Sequence, residues 1–222
     1  MLEAVIFDMD GVILNSEAIY VEEGRELFKT LGISVSPEEH YSYVGGTTVD
    51  MWTKIKKNHK LDDYTVEELC KMQIGRFKKR LIEEKNLKIS EGLVDLIKDL
   101  KSHNVKIAIA SSSPRSIVDI ITKKLNIYEY FDLLVSGELV EKGKPEPDIF
   151  LKTAELLGAF LDKTIVIEDS RNGITAANRA NIKSVAYKKY AMSEESIPKN
   201  ADLTIDDFHE IDYDVLDNLL KK

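Results

Sequence analysis

The sequence predicts an α/β fold, in which a parallel sheet carries helices on both faces and an all-helical segment is inserted after the first strand. Three observations carry this reading. From residue 105 onward, short β-rich apolar runs alternate with amphipathic helical patterns, as expected of consecutive β-α-β units. Residues 15–88 lack that alternation and read as successive helices. The apolar run before them, Ala4-Val5-Ile6-Phe7, is long enough for one buried strand and stops at Asp8, Asp10 and Gly11.

The elements are taken in chain order. After the strand at 4–7, helices are predicted at about 16–31, 37–43, 47–58 and 65–86, with Gly32, Pro37 and the Gly45-Gly46 pair marking the breaks. Thr65 with Glu68 makes a capping box for the last of these. Leu93, Leu96, Ile97 and Leu100 share one helical face, so a helix is expected at 93–103. Strands are expected at 105–110, 133–135, 164–167, 184–186 and 203–205, and helices at 114–125, 147–157 and 171–180. Ser113 is expected to cap the helix that opens on Pro114, and Gly158 to stop the helix at 147–157. The boundaries drawn from this are a core of residues 1–14 and 89–222, and a helical cap of 15–88. Trp52, Cys70 and Met72 are read as packing residues of the cap. The four histidines have no metal-ligand spacing.

Composition narrows the class. The 222-residue chain has a net charge of −8, which argues against a nucleic-acid groove because such a groove needs a basic stripe. Residues 15–88 carry equal numbers of acidic and basic side chains, so the deficit lies in the remainder. Within them, 51–88 is basic, read either as a solvated helix face or as mild attraction of an anionic substrate. The single cysteine, Cys70, allows no internal disulfide and fits a reducing compartment. No run reaches the ~18 apolar residues of a membrane span, and the N-terminus lacks the pattern of a signal peptide. A cytoplasmic protein is expected.

The strand ends are the informative feature. Side chains alternate along a strand, so Asp8 and Asp10 project the same way from its carboxyl end, the edge where open α/β sheets bind ligands. A calcium loop of the EF-hand type would need oxygen ligands where Val12 and Ile19 stand. In isolation, two solvated carboxylates at an Asp-Gly turn would look the same. After the strand at 105–110 comes Ser111, opening a loop with Ser112 and Ser113 that offers hydroxyls and backbone N–H groups to an anion or simply caps the helix. After the third strand comes Lys142-Gly143-Lys144-Pro145, and after the fourth come Glu168 and Asp169, with Ser170 placed to cap the next helix. Four carboxylates gathered at one edge are too costly without a cation. Mg2+ binds oxygen ligands and shares its coordination with phosphate, and a lysine and a serine suit phosphate oxygens. Neither a Walker-type loop nor a G-x-S-x-G elbow is present.

The ordered set Asp8-x-Asp10-Gly11-Val12, Ser111, Lys144-Pro145-x-Pro147 and Glu168-Asp169-Ser170, with Gly173 after it, resembles the haloacid dehalogenase superfamily. Within that superfamily it is similar to the branch of β-phosphoglucomutase and related sugar-phosphate phosphatases. The resemblance implies a Rossmann-like three-layer core with a helical cap, and Mg2+ as cofactor. It implies Asp8 as nucleophile, forming an aspartyl-phosphate, and Asp10 as general acid and base. Ser111, Ser112 and Lys144 are implied as phosphate-binding groups. Asp8, Asp10 (through its carbonyl), Glu168 and Asp169 are implied around the metal. An aspartate at position 10 points to phosphate esters, since dehalogenases carry tyrosine there and phosphonoacetaldehyde hydrolases alanine.

The mutases of this branch carry a histidine, an arginine and a lysine on the cap, where this chain has Tyr20, Thr48 and Gln73. That departure favours a phosphatase. Tyr20, Gly45, Gly46, Thr47, Thr48 and Arg76 are the candidate substrate-facing residues of the cap. The expectation is a monomeric, Mg2+-dependent phosphatase of small phosphorylated metabolites such as sugar or polyol phosphates. A sugar-phosphate mutase and a non-catalytic phosphometabolite-binding protein are the alternatives.

Overall fold

The computed structural model describes residues 1–41, 43, 48–191, 194 and 197–221. They divide into two compact units, one of residues 1–15 and 87–222 and the other of 16–86. The first unit is built on six parallel strands: β1 (Ala4–Phe7), β2 (Lys106–Ser111), β3 (Leu133–Ser136), β4 (Thr164–Glu168), β5 (Lys183–Tyr187) and β6 (Leu203–Ile205). Their order across the sheet is β3-β2-β1-β4-β5-β6. The chain steps outward from β1 to β2 and β3, then returns to lay β4 against the other side of β1. Connections therefore leave in opposite directions at the β1/β4 seam, the kind of switch point beside which open α/β sheets bind ligands at the carboxyl ends of their strands.

The four central strands are buried on both faces, which is why they read as unbroken apolar runs. On one face Ala4, Ile6, Ala108, Ala110, Val135 and Val166 pack with Ile149, Phe150, Ala154 and Leu157 of α7 (Asp148–Leu157) and Ala176, Ala177 and Ala180 of α8 (Arg171–Arg179) and its end. Small alanines there let the helices approach closely. On the other face Phe7 meets Phe131 edge-on and Phe208 at a tilt. Each such aromatic, once buried, contributes about 1.5–3 kcal/mol. The remaining helices of this unit are α5 (Leu93–Ser102), α6 (Arg115–Lys124) and α9 (Tyr213–Leu219). The last is not among the helices expected from the sequence. At seven residues it is too short for a clear helical period, and the bond from the Val215 N–H to the Asp212 side chain defines its start.

The second unit holds α1 (Glu17–Thr30), α2 (Pro37–Tyr41), α3 (Thr48–His59) and α4 (Val66–Glu83). Its core is Leu27, Phe28, Met51, Trp52, Ile55, Leu61, Leu69 and Cys70, with Met72 packed at its margin. The Thr65–Glu68 capping box starts α4. Two polar side chains are also interred here. Gln73 is fully buried and accepts a 2.6 Å bond from Trp52 Nε1. His40 is 2% exposed and meets the ring of Phe28 edge-on.

Candidate active site

The strand register sets the site. Phe7 pairs with Ile109 of β2 and with Ile167 of β4. One step further on, Asp8, Ala110 and Glu168 stand at the same level, and the Asp8 N–H donates to Ile167 O at 2.9 Å. Beyond Asp8 the chain turns at once: Gly11 N–H donates to Leu14 O at 2.9 Å, and Ile13 N–H to Met9 O at 2.9 Å. Met9, Val12, Ile13 and Leu14 sink into the core, so Asp10 is left at the sheet edge beside Asp8. Gly11 has φ +84°, and a Cβ there would overlap the Asp169 carboxylate. Glycine is thus needed twice over, for its left-handed backbone and for the close approach of Asp169.

Lys144 is the electrostatic centre. Its ammonium donates to Asp8 Oδ1 at 2.5 Å, to Glu168 Oε1 at 2.8 Å and to Ala110 O at 3.2 Å, and it lies 4.9 Å from the centre of the Phe150 ring. Lys144, Asp8 and Glu168 are all buried. The other oxygen of Glu168 accepts from the Ser170 N–H at 2.6 Å and from its hydroxyl at 2.9 Å. Ser170 also caps α8 by accepting from the Gly173 N–H. A Cβ at residue 173 would overlap Glu168, so that glycine makes room for a carboxylate rather than for a bend in the helix.

One lysine does not balance the carboxylates around it. Burial pushes the Asp8 carboxyl up to about 7; Lys144 opposes the rise, while Glu168 and Asp10 add to it. Asp169 is likewise raised, by burial first and then by Glu168 and Asp8. Lys144 is held above its ordinary range, because Asp8 and Glu168 outweigh the burial that would lower it. Asp8, Glu168 and Asp169 each bring an oxygen to within 4.8 Å of the others. An all-oxygen donor set with surplus negative charge fits a hard divalent cation.

Of the residues read from the sequence, Asp8, Asp10, Ser111, Lys144, Glu168 and Asp169 stand together at this edge. Ser111 ends β2 and Glu168 ends β4, each still held within its strand. Ser112 is exposed beside Ser111, and Lys142 is exposed while Lys144 turns inward. Tyr20, Thr48 and Arg76 belong to the helical unit. There the Tyr20 hydroxyl lies 2.9 Å from Thr48 Oγ1, and Arg76 Nε donates to Glu23 at 3.3 Å. Gly45, Gly46 and Thr47 lie outside the described residues.

Ser113 departs from expectation. The capping position of α6 is held by Pro114, and no side chain caps that helix. The backbone turns one residue later than the sequence suggests, because the extended proline (ψ 148°) rather than the serine begins the helix. The Ser113 hydroxyl instead donates to Asp10 Oδ2 at 2.9 Å, and the Ser113 N–H to Ser111 Oγ at 3.0 Å. Ser111 Oγ reaches the same Asp10 oxygen at 3.4 Å. A serine preceded by two serines gave no sequence signal for this contact beyond its place at the carboxyl edge.

The family profile described as haloacid dehalogenase-like hydrolase matches residues 5–187, from β1 to the end of β5. The chain belongs to that family. Among haloacid dehalogenase-like proteins, it is 32% identical over 190 residues to a phosphorylated carbohydrates phosphatase of Thermotoga maritima, covering 83% of this chain and 84% of that one. A solved β-phosphoglucomutase of Clostridium difficile superposes with a TM-score of 0.85 at 27% identity, covering 100% of this chain and 98% of that one. A haloacid dehalogenase hydrolase of Entamoeba histolytica superposes with a TM-score of 0.89 at 26% identity, covering 100% of both chains.

Proposed function

We propose that this haloacid dehalogenase-like hydrolase is a Mg2+-dependent phosphatase of small phosphorylated metabolites, with sugar or polyol phosphates as the favoured class. The observation that carries the reading is the buried Asp8–Lys144–Glu168 cluster, with Asp10, Ser111 and Asp169 beside it at one sheet edge. Asp8 is the nucleophile. Its oxygen forms a bond to phosphorus as the ester oxygen leaves, giving an aspartyl-phosphate. Asp10 protonates the departing oxygen and afterwards takes a proton from the water that cleaves the intermediate. Lys144 and the Ser111 hydroxyl hold phosphate oxygens, and Glu168 fixes Lys144 in place. Asp8, Asp169 and the Asp10 carbonyl would hold Mg2+, which when bound neutralises phosphate charge. Glu168 already accepts on both oxygens, from Lys144 and Ser170, which suits it to a supporting place.

The likeness to a β-phosphoglucomutase keeps a second reading open. A mutase must grip two phosphates and keep water from the aspartyl-phosphate. In the helical unit Gln73 is buried against Trp52 and Arg76 is paired with Glu23, so both are committed to the unit itself. The helical unit, proposed as the specificity cap, therefore supports hydrolysis over transfer. Purified protein is expected to hydrolyse p-nitrophenyl phosphate with Mg2+, and Asp8→Asn to abolish this. Retained activity in Asp8→Asn would remove the nucleophile assignment. Isomerisation of β-glucose 1-phosphate faster than its hydrolysis would establish the mutase reading instead.

A further inference from the structure

We propose that Ser113 is the positioning residue for Asp10, and that its hydroxyl supports proton donation to the leaving oxygen. The inference rests on the reading of Asp10 as general acid. Ser113 and Asp10 are 103 residues apart in sequence, yet Oγ lies 2.9 Å from Asp10 Oδ2. Ser111 approaches the same oxygen only at 3.4 Å, and its hydroxyl already accepts from the Ser113 N–H at 3.0 Å. The tripeptide 111–113 thus divides its labour. The backbone of Ser113 orients Ser111, and its side chain orients Asp10. Both serines sit where β2 passes into α6, a segment anchored by the fully buried Ala110 and Ile117–Val118 on either side.

The chemical consequence concerns one half of the reaction. As Asp8 bonds to phosphorus, the bond from phosphorus to the ester oxygen breaks and its electron pair stays on that oxygen. The oxygen takes the proton from Asp10, which ends as a carboxylate. A hydroxyl donating to Asp10 strengthens as that charge appears, because hydrogen bonds to ionised acceptors are about twice as strong as neutral ones. The contact is therefore worth more in the transition state than in the ground state, which is the condition for acceleration. Its value must scale with how much proton transfer the leaving group needs. An alkoxide needs a full proton, whereas p-nitrophenolate needs little.

The test measures kcat/KM, which reports phosphoryl transfer to Asp8, for an alkyl phosphate that the enzyme accepts and for p-nitrophenyl phosphate. Ser113→Ala is expected to lose about tenfold on the alkyl ester, the worth of one charge-assisted hydrogen bond. On the aryl ester its loss is expected to stay within about twofold. Ser113→Thr, which keeps the hydroxyl, is expected to restore the alkyl activity. Equal losses on both esters, no loss on either, or failure of the threonine to restore activity would overturn the proposal. Asp10→Asn separates the two levels of the argument. If it loses at least about a hundredfold on the alkyl ester while Ser113→Ala behaves as wild type, the role of Asp10 stands and that of Ser113 falls. If Asp10→Asn retains alkyl-ester activity, the general-acid reading falls and takes the proposal with it.

Discussion

Replacing Lys144 with methionine tests the electrostatics of the cluster most directly. Methionine keeps a flexible apolar stem against Phe150 and deletes the ammonium, so the change is chiefly one of charge. The ammonium is bonded at 2.5 Å to Asp8, 2.8 Å to Glu168 and 3.2 Å to Ala110 O, in a residue only 8% exposed. Breaking a buried ion pair from one side costs about 3–5 kcal/mol, since the orphaned charge stays in a poor solvent. The carboxylates can escape only by taking up protons, and this makes the cost depend on pH. Asp8 already sits near 7 in the folded protein against 3.8 as its ordinary value. A raised carboxyl pKa means that the folded state binds more protons than the unfolded chain, so stability falls as pH rises through that window. Removing Lys144 pushes Asp8 higher still and extends the window above 7. Lys144 itself, held above its ordinary range, stays charged throughout.

The expected result, by urea unfolding in a chelator, is a loss of about 3 kcal/mol at pH 8. At pH 5, where Asp8 is protonated in both proteins, the loss should be less than half of that. Added Mg2+ should recover part of the pH 8 loss by supplying a cation beside Asp8 and Asp169. A cost below about 1 kcal/mol, or one equal at both pH values, would refute the account of Lys144 as the counter-charge of a buried carboxylate pair.

Packing sets two further outcomes. Gly173→Ala should cost about 1–3 kcal/mol by overpacking despite the better helix propensity of alanine. The new Cβ falls on the Glu168 carboxylate, so phosphatase activity should drop with stability; thermal unfolding that shows a gain would contradict this. In the helical unit, burial and Arg25 hold His40 below its ordinary range, so the folded protein takes up its proton less readily than the unfolded chain. The unfolded chain binds the proton, so stability should be lost as pH falls below about 6.5, by up to about 1.4 kcal/mol per unit. His40→Phe should flatten that acid limb in a pH series of unfolding curves, and an unchanged limb would show that other groups set it.

The alternation of strand and helix after residue 105 was legible because the central strands are buried on both faces and each helix on one, so burial wrote itself into the pattern. The two carboxylate pairs were legible for a related reason. A charge at the end of an apolar run is visible in sequence, and parallel strands bring such ends to one edge. The short helix α9 was not legible, since seven residues hold under two turns. His40 and Gln73 were not either. A polar side chain reads as exposed unless its surroundings are known, and theirs come from residues distant in the chain.

By itself, the sequence brought Asp8, Asp10, Ser111, Glu168 and Asp169 to one sheet edge, because each closely follows an apolar run and parallel strands end on the same side, while Pro145-x-Pro147 favoured Lys144 over Lys142 only by resemblance. Only the tertiary structure decided how the charges are shared. It turned Lys144 inward while Lys142 stayed exposed, placed Glu168 between Lys144 and Ser170, and put the Ser113 hydroxyl on Asp10 rather than on its own helix. These choices depend on contacts of 2.5–2.9 Å between residues up to 136 apart in the chain. Hydrogen bonds and buried charges are decided at that scale, and residue order alone does not carry it.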